Sequence, residues 1–129
     1  MSINLNEPIK IFFDEIEIDD YLPSIKFKID INMKQFTHHL AYSGEIWIDC
    51  NVWDLFSKGL NKGESAVLHD MSNVFIIKII KKHDDIEFTW SVKRQDPEGN
   101  VMTASYSSKI TDDVYSLIRN EFTNYPKWW

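Results

Sequence analysis

The ten residues SIKFKIDINM, 24–33, decide how the rest of the chain reads. Ile25, Phe27, Ile29, Ile31 and Met33 alternate with Lys26, Lys28, Asp30 and Asn32, which is the two-residue period of a strand with one dry face. Upstream, Ile9, Ile11 and Phe13 alternate in one phase and Ile16 and Ile18 in the other. An extra residue near Asp14 or Glu15 therefore predicts a bulge or a tight turn. The segment DYLP, 20–23, then turns the chain into the central strand.

Downstream, short strands are expected at 36–42 and 45–49, joined through Ser43 and Gly44 as hairpin turn residues. In NVWDLFSKGL, 51–60, the apolar Val52, Leu55, Phe56 and Leu60 follow helical spacing behind Asn51 as N-cap, with Asp54 placed to complement the helix dipole. Gly63 can take the left-handed conformation that closes such a helix. SNVFIIKIIKK, 72–82, and IEFTWSVKRQ, 86–95, read as paired strands around HDD. DPEGN, 96–100, is a turn in which Pro97 presets one position and Gly99 supplies a positive φ, and VMTASYSSKI, 101–110, is the returning strand. TDDVYSLIRNEFTNYP, 111–126, begins with Thr111 as N-cap and Asp112 and Asp113 in the first turn, places Val114, Leu117, Ile118 and Phe122 on one face, and stops at Pro126. The expected architecture is one α+β domain over 1–129, a single antiparallel sheet of about six or seven strands with two helices, in the order β-β-β-β-α-β-β-β-α.

A chain of 129 residues, 43% apolar and 26% charged, has ordinary globular proportions. Its 20 acidic against 14 basic residues give a net charge of -6, which disfavours nucleic acid and anionic membrane as partners and favours a basic one. One cysteine, Cys50, excludes an internal disulfide framework, and MSINLNEPIK lacks the pattern of a secretory signal, so a cytoplasmic location is expected. The longest apolar run, VFIIKII at 74–80, is broken by Lys78 and too short to span a bilayer.

DEIEIDD gathers Asp14, Glu15, Glu17, Asp19 and Asp20 within seven positions. A calcium loop needs glycine at its sharp turn, whereas Ile16 and Ile18 hold alternate places that a strand would bury, so the stretch reads as a solvated strand face or an acidic contact surface. His38, His39, His69 and His83 with Cys50 show no zinc-type spacing, and no metal or other cofactor is expected. Cys50, just before a helix, is the one position where a thiolate would be favoured, but without a base in view it reads as structural. The four glycines form no phosphate-binding loop. Lys26, Lys28 and Lys34 on one strand face beside aromatic residues resemble a platform for single-stranded nucleic acid, against which stand the positions of Phe27 and Phe36 on or near the expected core and the overall charge. Trp128 and Trp129 would each expose roughly 150–250 Å², which predicts a clasp folded over the sheet or the first helix, or an anchor for a partner.

In layout the chain resembles small bacterial immunity proteins of polymorphic toxin systems, of the sort encoded beside contact-dependent inhibition and wall-associated toxins. The resemblance runs from Ile25 onward through IKFKIDINM, GEIWIDCNVWDLFSKGL, VFIIKII, IEFTWSV and the final YPKWW. It implies a non-enzymatic protein that binds a cognate toxin or effector domain and blocks it. Charge adds that this partner is basic and that Asp14, Glu15, Glu17, Asp19 and Asp20, with Asp84 and Asp85 as a second acidic point, are the expected contact residues. Two rivals stand beside this expectation. One is a small metal-dependent enzyme using the 14–20 carboxylates with His38 or His39; the other is a homodimeric structural or adaptor protein in which PKWW packs across a two-fold axis.

Overall fold

A computed structural model describes residues 1–129. Eight strands and two helices follow in the order β1 (Ser2–Leu5), β2 (Lys10–Asp19), β3 (Ser24–Gln35), β4 (His38–Asp49), α1 (Cys50–Asn61), β5 (Ala66–His69), β6 (Phe75–Lys81), β7 (Ile86–Gln95), β8 (Val101–Ile110) and α2 (Asp112–Thr123). The α+β class holds, but the strands form two four-stranded antiparallel sheets, β1-β2-β3-β4 and β5-β6-β7-β8, in place of one sheet of six or seven. Each half of the chain is thus a four-strand meander followed by a helix of 12 residues. α1 packs on β5 of the second half, and α2 packs on α1 and on β1 of the first.

The alternating pattern of β3 buries Ile25, Phe27, Ile29 and Ile31 as its period requires. The phase change in β2 is a bulge, with the register to β3 slipping between Glu15 and Glu17. The strand count changed for two local reasons. β1 and β5 have only four residues each, too few for alternation to stand out. In addition, β4 runs unbroken through Ser43 and Gly44, and its hairpin turn lies earlier, at Phe36, whose φ is 59°. Gly44 is there for a neighbour: a β-carbon on it would fall 2.9 Å from Cζ of Tyr42, whose ring lies across the glycine.

Two helix details also differ. The N-cap of α1 is Asp49, whose carboxylate accepts from Asn51 N at 2.7 Å, in place of Asn51, and the first turn holds no acidic residue, so Asp54 does not serve the dipole. On α2, Thr111 caps as expected, accepting from Val114 N at 3.2 Å, but Tyr115, Ile118 and Phe122 are buried while Leu117 faces solvent.

One cluster of 28 buried residues joins both sheets and both helices. Phe13 makes edge contacts with Phe27, with Phe75 of the second sheet and with Phe122 of α2, so three layers meet around one ring. Trp53 of α1 stacks on Phe27 at 5.3 Å, and Tyr42 reaches Phe75 and Trp90 across the gap between the sheets. No helix is long and apolar enough to cross a membrane.

Candidate functional site

Two turns and a strand edge converge at one seam between the sheets. In the β2–β3 turn, Asp19 Oδ1 accepts from Tyr21 N at 3.0 Å and Leu22 N at 3.2 Å, and Ser24 Oγ donates to Leu22 O. These bonds tie the turn through its backbone and leave Tyr21 and Leu22 projecting into solvent. In the β5–β6 turn the buried carboxylate of Asp70 accepts from Val74 N at 2.7 Å and Phe75 N at 3.0 Å, with Asn73 in the left-handed region. The same turn donates Met71 N to Trp47 O of β4 at 2.8 Å, which stitches it to the edge of the first sheet.

The result is a cleft of about 660 Å³ whose walls include the β4 edge from Tyr42 to Trp47, Val92 and Arg94 of β7, and Met102 of β8. Leu22 and Met71 also border a second hollow of about 370 Å³, which reaches Cys50, Asp54 and Trp129, and so they form the ridge between the two concavities. Leu22, Met71 and Met102 are 62%, 52% and 53% exposed, a large apolar presence around the cleft. Among the charged residues lining both hollows, Asp19, Glu45, Asp49, Asp54 and Asp70 stand against Arg94 alone. The Tyr42 hydroxyl is raised above its ordinary pKa by burial and by the Asp70 charge, against which Arg94 acts.

The acidic stretch 14–20 is dispersed over several roles. Asp14 pairs in register with Ser2 and Lys28. Glu15 accepts from the hydroxyl of buried Tyr125, and Glu17 lies 4.0 Å from Lys26, which also pairs with Glu45 at 3.4 Å. Asp19 lines the cleft, and Asp20 is exposed beside it in the turn. Asp84 and Asp85 sit in the β6–β7 turn of the other sheet, where Asp85 pairs with Lys109 at 3.4 Å. Lys26 of the lysine-bearing face is thus held by two carboxylates and leans toward the Trp47 ring.

Among the histidines, His39 Nε2 lies 3.4 Å from Asn32 Oδ1 and His69 Nδ1 lies 3.0 Å from Asp70 O. No group of three or more His, Cys, Asp or Glu side chains converges as a metal-holding set. Cys50 occupies the first position of α1 but is only 2% exposed. Burial, followed by the charges of Asp49 and Asp54, pushes its thiol up to about 11, which is the reverse of thiolate activation.

Of the final tryptophans, Trp129 forms a clasp on the first helix, while Trp128 stays 36% exposed. Trp129 Nε1 donates to both carboxylate oxygens of Asp54, at 3.0 and 3.1 Å, and Lys127 Nζ pairs with Asp54 at 2.6 Å. Trp128 meets the Trp129 ring edge-on. The seam residues Leu22, Glu45, Trp47, Asp70, Met71, Arg94 and Met102 were missed as a site, because they are contributed by five separate segments. One signal was available: HDMSN, 69–73, before an apolar run is the residue pattern of an aspartate-held turn. Comparison with family models, with curated proteins and with solved structures finds no match to this chain.

Proposed function

We propose that the chain is a non-enzymatic binding protein of the immunity type, which neutralises a basic cognate toxin domain by seating it on the seam between the sheets. The observation that carries this reading is the pairing of exposed Leu22, Met71 and Met102 with a concave lining whose five carboxylates outnumber Arg94 and the Lys26 and Lys127 ammonium groups that pair with Glu45 and Asp54. Methionine and tryptophan adapt to and anchor protein partners, while the charge excess speeds encounter with a basic one and selects against acidic ones. Asp19 and Asp20 lie at the rim of this surface, whereas Glu15 serves the interior.

The test is the binding kinetics of the protein encoded by the adjacent gene. Asp20→Lys, which leaves the Asp19-held turn intact, is expected to slow association about threefold at low salt, an effect that shrinks as salt is raised, with dissociation little changed. Leu22→Ala with Met71→Ala is expected to act mainly on dissociation, accelerating it by about tenfold or more. Unchanged kinetics in both variants would remove the seam as the binding surface.

A further inference from the structure

β4 is 12 residues long and forms an edge of the first sheet. Its Trp47 carbonyl accepts from Met71 N, outside that sheet, so Trp47 and its register partner Lys26 exchange no ladder hydrogen bond. The β3–β4 register runs without a shift from Ser24↔Asp49 to Gln35↔His38, and the alternation set at Trp47 therefore carries along the strand. Glu45, Ser43 and Ala41 aim their N–H and C=O groups away from β3, and none of these groups is used by a turn, loop or cap. The floor of the cleft at Ser43 and Glu45 is thus an open backbone edge.

The other edges differ. β1 and β5 have four residues each, and β8 reaches the cleft only at Met102. Short edges are a common means of preventing strand addition, and β4 lacks that protection. Unpaired donors and acceptors at three alternate residues match the backbone of an extended chain.

We infer that the β4 edge from Ala41 to Glu45 docks an extended, basic segment of the partner, which adds as a further strand to the first sheet with alternate side chains entering the cleft. This inference rests on the binding reading above and names the form of what is bound. Basic character follows from the net charge of -6 and from Asp19, Glu45 and Asp70 along the cleft, set against Arg94 and the Lys26 ammonium that pairs with Glu45. The Met71 amide already occupies Trp47 O, so the added strand pairs on the Ala41 side and stops before Trp47.

Ser43→Pro removes the central outward N–H while sparing the ladder, since proline is accepted on an edge strand where that N–H points away from the sheet. Ser43→Ala keeps the N–H and serves as control. The probe is a capped hexapeptide of alternating lysine and valine, titrated into isotope-labelled protein and followed by amide chemical shifts. Saturable shifts are expected at Ala41, Ser43 and Glu45 in the unaltered protein and in Ser43→Ala, with affinity about tenfold weaker in Ser43→Pro. The same peptide N-methylated at every residue is expected not to bind, and this arm decides the question on the unaltered protein if Ser43→Pro folds poorly. The inference is overturned by absent shifts at these amides at millimolar peptide, by equal affinity in the two Ser43 variants, or by a dimer that Ser43→Pro dissolves, in which a second copy occupies the edge. If the adjacent gene's product binds Ser43→Pro normally but is weakened by the Asp20 reversal, edge docking fails and the binding reading stands.

Discussion

Tyr125 shows how one contact moves an acidic residue from the surface into the structure. Its ring packs against Phe27 and Trp53, and its hydroxyl donates to Glu15, so a carboxylate from the acidic stretch serves the core. Tyr125→Phe leaves Glu15 half-buried without that donor and is expected to cost about 1–3 kcal/mol in denaturant unfolding. Burial, and then the bond to Glu15 and its charge, raise the Tyr125 pKa above the ordinary 10.0. The folded state therefore keeps a proton that the unfolded state releases above pH 10.0, and the associated stability is present below that pH and lost as pH rises past it. A stability–pH profile of Tyr125→Phe should show a shallower alkaline decline than the unaltered protein. Gly44 makes a second residue-scale case. Tyr42 crosses it to reach Phe75 and Trp90, so Gly44→Ala must displace a ring held between the sheets. We expect a loss of about 1–3 kcal/mol by overpacking, measured by thermal melting, and partial recovery when Tyr42→Leu is added.

Among the elements, α1 and the clasp act as one unit. Asp54 projects from α1 to receive both the Trp129 indole and the Lys127 ammonium. Spacing alone assigned Asp54 to the helix dipole, because nothing within α1 shows that residues more than seventy positions away return to it. Trp129→Ala removes the two hydrogen bonds and the apolar cover over the Cys50 hollow, and is expected to lower stability by about 2–3 kcal/mol. The mass in solution should stay unchanged, as read by sedimentation; a fall from dimer to monomer would instead place the tryptophans at a two-fold interface. The caps were unevenly legible for the same reason. Thr111 could be read because its hydroxyl needs only the amide three residues on, whereas the start of α1 moved to Cys50 once Pro23 O took the Cys50 amide.

At the scale of the whole molecule, each helix lies against a strand of the other half, α1 on β5 and α2 on β1, and Phe13 touches both the second sheet and α2. Neither half buries its aromatic face without the other, so both sheets should unfold in one transition, with far-ultraviolet dichroism and tryptophan fluorescence giving coincident midpoints. Separated midpoints would show that the sheets are independently stable. The sequence by itself determined what depends on neighbours a few residues apart: the dry face of β3, the bulge near Glu15, the Asp96–Gly99 turn, the cap at Thr111 and the acidic charge. The tertiary structure decided the division into two sheets, the continuity of β4 through Gly44 and the assembly of the seam. Side-chain period reports which face of a strand is dry but not which surface covers it. Tyr42 over Gly44, Met71 on Trp47 and Tyr125 on Glu15 are contacts between packed layers, and they exist only once those layers have met.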